Sequence, residues 1–172
     1  MADYYTPTVV EPVIPIAAMH LIERLFLGQV FCEEVDGTTA YYYSDDGASD
    51  LIYLDAEAVR TAIGGASAET SSLAKKLLDE HGEAILGDEE IELDMCGDLW
   101  PDVLQDIVRR SSDLDHLTVT MAFTCSKMRP DGFGGLAMMI TAQTIRSEST
   151  HTLFDRFYAE ARANGEISRG DS

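Results

Sequence analysis

The sequence predicts an α+β protein, a mostly antiparallel sheet with helices packed on it. Three observations carry the prediction. His116 to Ile145 holds two long apolar runs joined by a loop rich in Gly, Pro and charge, the pattern of a hairpin. Glu90 to Met95 alternates carboxylate and apolar residues, the period of a half-buried strand. Helical patterns stand before, between and after the strand groups, in the order α-β-β-β-α-α-β-α-β-β-α. A doubly wound parallel sheet would need strict alternation.

At 172 residues a single domain, 1–172, is the default, with chain enough for a real core. No repeat or linker interrupts it. Residues 1–15 contain Pro7, Pro12 and Pro15, which forbid a helix and disfavour a central strand. An extended Pro-rich arm is expected there, packed on the body or on another subunit through Tyr4, Tyr5, Val9, Val10, Val13 and Ile14. Residues 16–31 place Met19, Ile22, Phe26 and Val30 at helical spacing, with Leu21 and Leu25 alongside. FCEEVDG, TTAYYYS and DLIYLD follow, separated by Asp-Gly turns, and predict a three-stranded meander.

Asp55 is the N-cap type for a short helix that ends at Gly64-Gly65. A second helix over 68–86 turns Leu73, Leu77 and Leu78 inward and bends at Gly82. The strand Glu90–Met95 comes next. Asp98 then caps a helix with Pro101 in its first turn, and Arg109 and Arg110 sit where a helix C-terminus favours cations. The hairpin strands are Leu117–Thr124 and Leu136–Ile145, rich in strand-forming residues. Pro130-Asp131-Gly132 marks the turn of a loop whose tip, Lys127 to Phe133, projects. Ser149 opens a last helix with Leu153, Phe157 and Ala161 at i, i+4 and i+8, and 164–172 reads as a disordered tail.

Charge is the outlier, at −19. Residues 1–108 hold 23 Asp or Glu against 4 Lys or Arg, whereas residues 109–172 hold 8 of each. Leu25–Val59 carries eight carboxylates and Leu77–Val108 eleven, with no Lys or Arg in either span. Such a balance argues against direct nucleic-acid binding. No apolar run is long enough for a membrane helix, and Asp3 and Glu11 disrupt any signal-peptide pattern. Cys32, Cys96 and Cys125 then read as reduced thiols of a cytoplasmic protein.

Signatures of cofactor chemistry are missing. There is no P-loop, dinucleotide glycine fingerprint, HExxH, GxSxG or CxxC pair, so no cofactor is expected. Asp45, Asp46 and Asp50 lack EF-hand spacing, so no metal site is assigned. Cys125 is a weak candidate nucleophile, because Lys127 and Arg129 would lower its pKa and His116 or His151 would be its base. The plainer reading of Cys125 is a small buried hydrophobe. Lys127 and Arg129 would grip an anion or a partner carboxylate, or else pair with the chain's own acids. Tyr41 and Tyr43 share a strand face opposite Tyr42 and, with Tyr53, are interface candidates or sheet packing.

The strings DIVRRS (Asp106–Ser111) and AFTCSKMRPDGFGG (Ala122–Gly135), with the opening YYTPTVVEPVIP, resemble a family of small uncharacterised acidic bacterial proteins associated with plasmids and phage-like elements. The resemblance implies no catalytic residue. It implies an accessory or counter-defence role, by analogy with acidic inhibitors of nucleases.

The leading expectation is a non-enzymatic module that binds a protein partner through its acidic 25–108 region. Its sharper form mimics nucleic-acid charge and blocks a basic nucleic-acid-binding protein. The contact residues expected are Asp45, Asp46, Asp50, Asp88, Glu89, Glu90, Glu92 and Asp94, with Lys127 and Arg129 as a lesser contact. A solvated surface or adaptation to salt would also account for the charge. The alternatives in function are a structural homo-oligomer, joined through the arm and Met138-Met139, and less plausibly an enzyme using Cys125.

Overall fold

The structure, a computed structural model, describes residues 2–66, 69–87, 90–94, 99–129 and 131–167. Its architecture is α+β. Seven strands form one antiparallel sheet: β1 (Tyr4–Tyr5), β2 (Thr8–Pro15), β3 (Cys32–Asp36), β4 (Thr39–Ser44), β7 (His116–Cys125), β8 (Gly134–Thr141) and β9 (Ile145–Ser149). The order is β3-β4-β2-β7-β8-β9, and β1 continues along the end of β7. Two further strands, β5 (Leu51–Leu54) and β6 (Ile91–Asp94), pair into a separate ribbon. The helices are α1 (Leu21–Val30), α2 (Ala56–Ile63), α3 (Ser72–Leu86), α4 (Leu99–Arg110) and α5 (Thr150–Ala163).

The expected hairpin is present as β7 and β8, with Leu117 opposite Ile140 and Val119 opposite Met138. The Pro-rich segment departs from expectation. It is extended, but it lies inside the sheet between β4 and β7. The prolines are accommodated at gaps in the ladder. Pro7 precedes the strand, Pro15 ends it, and the β2–β4 register shifts between Val10 and Ile14, which leaves Pro12 without a paired position. The meander also changes. β3 and β4 form a hairpin, but the third strand, β5, leaves to pair with β6. Periodicity marks a strand and does not name its partner.

The core lies between one face of the large sheet and helices α1 to α4. Val10, Ile14, Ala40, Tyr42, Leu117, Val119 and Ile140 come from the sheet. Ile22, Phe26, Leu73, Leu77, Leu104 and Ile107 come from the helices, and Ile52, Leu54, Ile91 and Leu93 from the ribbon. Leu78, expected inward, is exposed instead, and so is Leu21, which stands alongside the apolar stripe of α1. The expected bend in α3 falls at His81, which leaves helical geometry at φ −125°, ψ 16°, one residue before Gly82. The expected caps at Asp55 and Ser149 are present, accepting from the Ala58 and Thr152 N–H groups at 2.8 and 3.1 Å. Asp98, Pro130 and residues 168–172 lie outside the described residues.

Two polar networks cross the helical layer. Glu23 on α1 is fully buried and paired with Arg110 of α4, and it accepts from the His20 N–H at 2.9 Å as part of a capping box. Arg110 also donates to the Thr70 and Ala18 carbonyls, so one guanidinium joins three segments. Asp106, also buried, accepts from the Ser72 N–H at 2.6 Å at the start of α3 and from Arg109 at 2.9 Å.

Candidate protein-binding surface

The ribbon supplies the most distinctive surface. β5 and β6 alternate strictly, so Ile52, Leu54, Ile91 and Leu93 are buried while Leu51, Tyr53, Glu92 and Asp94 face solvent. The register sets Leu51 opposite Asp94 and Tyr53 opposite Glu92. Directly opposed residues hold their Cβ atoms about 5 Å apart. The outer face is therefore two large apolar side chains, 44% and 47% exposed, each beside a carboxylate. Asp50 precedes Leu51 at the Asp94 end. Glu90 precedes Ile91 at the other end, where Asp55 follows Leu54.

Beyond Asp55 the acidic rim continues onto α2. Leu21 and Leu25 of α1 with Ala58 and Ala62 of α2 floor an apolar groove of about 430 Å³, edged by Asp55 and Glu57. Leu21 is 60% exposed there. Asp45 and Asp46, both exposed, lie in the loop that feeds β5. That loop has a fixed backbone. The Ser44 hydroxyl accepts from the Gly47 N–H at 3.0 Å, the Thr6 N–H donates to the Asp46 carbonyl at 3.2 Å, and Gly47 takes φ +118°, open to glycine.

The basic loop sits at the same end of the large sheet as Asp45 and Asp46, because β4 and β7 run parallel on either side of β2. Residues 3–6 lie between the two loops. Asp3 and Ser126 bond each other twice, through Asp3 N–H to the Ser126 hydroxyl and Ser126 N–H to the Asp3 carbonyl, both at 2.9 Å. Lys127 and Arg129 are exposed, and Arg129 donates to the Tyr4 hydroxyl at 3.3 Å. That bond, with the charge of Asp131, holds the guanidinium pKa above its ordinary value. The tip projects as expected, with Met128 90% exposed.

Cys125 is buried at the end of β7, opposite Tyr4. A Cβ on Gly132 would stand 2.7 Å from the Cys125 Cβ, so the loop closes directly over it. Neither expected base is brought to the thiol. His116 lies at the far end of the same strand, roughly 30 Å away at about 3.3 Å per residue. His151 is 89% exposed and sits beside Asp155 at 3.6 Å.

The tyrosines divide as the alternation predicts. Tyr41 and Tyr43 stack at 5.4 Å on the outer face of β4, and Tyr42 is buried on the inner face. The Tyr42 hydroxyl donates to Glu33 at 2.7 Å, and burial and this carboxylate raise its pKa. Arg24 donates to both Glu33 oxygens, at 2.8 and 3.0 Å, and holds that carboxyl below the usual range.

The structure thus brings Glu92 and Asp94 onto one ribbon face with Asp50 and Glu90 at its ends, and leaves Asp45 and Asp46 in the loop that leads to it from the end of the large sheet. Asp88 and Glu89 lie outside the described residues. Sequence reasoning missed Leu51, Leu21 and Leu25 as surface groups. The run LIYL is apolar throughout, so it does not say which side faces out. Among the described residues no three His, Cys, Asp or Glu side chains gather as a metal site, and no helix is long and apolar enough to cross a membrane. Compared with known proteins, the chain matches no family model, no curated protein and no solved structure.

Proposed function

We propose that the chain is a cytoplasmic protein-binding module whose acidic surface docks a basic partner, the sharper case being a nucleic-acid-binding protein held away from its nucleic acid. One observation carries this reading. The ribbon alternates exposed Leu51 and Tyr53 with Glu92 and Asp94, so it offers apolar contact and negative charge on the same face. An apolar centre with a charged rim is the anatomy of a protein-binding site. The −19 charge supplies long-range steering toward a basic surface.

Linear charge density sharpens the mimicry. Glu90, Glu92 and Asp94 recur every second residue, roughly 6.8 Å apart, whereas one DNA strand carries a phosphate per ~3.4 Å. The ribbon edge alone has half the density of one strand, and Asp45, Asp46, Asp50 and Asp55 are needed to approach it. The resemblance to proteins of plasmids and phage-like elements is in keeping with a counter-defence inhibitor.

The test is affinity capture from a bacterial lysate at low and high salt, with Glu92→Lys/Asp94→Lys as the comparison. Recovery of a basic nucleic-acid-binding protein, lost at high salt and in the variant, is expected. Release of that partner by duplex DNA marks mimicry. A partner bound indifferently to salt, or no basic partner at all, overturns the reading.

A further inference from the structure

Among the described residues, α5 is the one α-helix with no buried side chain. Its base is held to the sheet. The Thr150 hydroxyl accepts from the Gly135 N–H at 3.1 Å, and Arg156 pairs with Glu148 at 3.1 Å. The rest carries an outward apolar stripe. Phe154 is 67% exposed and Phe157 48%, and with Tyr158, Ala161 and Ile167 they edge a shallow groove of about 580 Å³. A helix of 14 residues is marginal in water without tertiary packing. An uncovered aromatic stripe on such a helix marks an interface.

We propose that a second copy of this chain covers the stripe, with the two α5 helices antiparallel about a two-fold axis near Phe157 and Tyr158. Charge selects the occupant. A second copy also carries −19 and is repelled wherever residues 1–108 dominate. It meets less repulsion at α5, whose own charges cancel and which belongs to the stretch 109–172, where the signs balance at 8 and 8. A basic partner is drawn instead to the acidic residues of 1–108.

The helix is also self-complementary. It carries Asp155 and Glu160 against Arg156 and Arg162. Antiparallel pairing about Phe157 and Tyr158 brings Arg162 of one copy within a turn of Asp155 on the other, and a closed two-fold contact needs such matching. Aromatic side chains bury roughly 200 Å² each when fully covered, so the stripe adds about 300–400 Å² per copy, short of the ~800 Å² of a standard interface. The dimer is therefore weak and concentration-dependent.

Salt separates this contact from the acidic docking surface, because the two respond in opposite directions. Screening relieves repulsion between two −19 copies and tightens the dimer, but weakens an acidic-to-basic contact. Sedimentation equilibrium of the whole chain, from about 1 μM to 1 mM, reads the result. The expected outcome is a monomer–dimer equilibrium that tightens as salt rises. Phe154→Asp weakens it at least tenfold, whereas Leu21→Asp, at a similarly exposed position on α1, leaves it unchanged. Arg162→Glu weakens the dimer and Asp155→Arg added to it restores the affinity. Circular dichroism verifies the fold of each variant. A monomer at the highest concentration and salt overturns the proposal. So does a dimer that Phe154→Asp leaves intact, or one that Leu21→Asp dissolves equally.

Discussion

The helices α4 and α5 are similar in length and both amphipathic in sequence, yet they end in opposite states. α4 buries eight of its 12 residues, and α5 buries none of its 14. The difference is one of position. α4 runs into β7 and lies on the sheet face that also carries α1 to α3. Its Gln105 donates to the Thr141 carbonyl and its Arg109 to the Ala142 carbonyl, both at 2.9 Å, tying it to the end of β8. α5 follows the edge strand β9, and Arg156 pairs with Glu148, which faces away from the core. Helical period shows which side of a helix is apolar. Connectivity decides whether anything covers it.

The sharpest way to break the comparison is the buried ion pair. Arg110→Met leaves the fully buried Glu23 carboxylate without its cation, and a loss of about 3–5 kcal/mol is expected in urea unfolding. A change under 1 kcal/mol would show that α4 is not the keystone of the helical layer. Next is the apolar contrast. Ile107→Ala on α4 should cost about 2–5 kcal/mol. Phe154→Ala on α5, measured where the chain is monomeric, should stay within about 0.5 kcal/mol. Equal losses would place α5 in the core.

The caps give a smaller contrast. Asp55→Ala should cost about 1 kcal/mol of global stability. Ser149→Ala removes an equivalent bond, but from a helix with no buried residues. It should instead raise amide exchange along α5 with little change in the unfolding midpoint. The smallest effect is one of pH. Arg24 holds the Glu33 carboxyl below its ordinary value, so their pairing contributes stability above the ordinary carboxylate range. That contribution is lost as pH falls through the lowered folded value. Both groups are part-exposed, so the effect is modest. Arg24→Met should be less stable than the parent at neutral pH and converge with it in acid; a gap that persists in acid would mean the pair acts through packing instead.

Much of the fold was legible where a residue has a local job. Asp55 and Ser149 cap helices because their side chains satisfy N–H groups a few residues away. Ile91 and Leu93 alternate with Glu92 and Asp94 because one face of β6 is buried. What sequence did not show depends on distant partners. β9 escapes notice because RSES, at an edge, needs no apolar run. β5 reads like its neighbours β3 and β4, and only the fold pairs it with β6. β2 looks unfit for a sheet interior until the bulge at Pro12 is seen. The candidate surface divides in the same way. Glu92 and Asp94 are readable as one face, but the exposure of Leu51 and Leu21 follows from packing.

The interior place of β2 has a consequence for the order of folding. The Thr118 hydroxyl donates to the Glu11 carbonyl across 107 positions of chain. β2 therefore waits for a strand made 107 positions later, and the large sheet cannot close until β7 has emerged. Contacts so remote in sequence slow folding, because a long loop must be closed before pairing rewards it. Before that moment the β3-β4-β2 part of the sheet lacks its next neighbour, and β2 presents a bare edge. In that interval the strong negative charge of residues 1–108 acts as a safeguard, since nascent chains that repel one another are kept from pairing edge to edge.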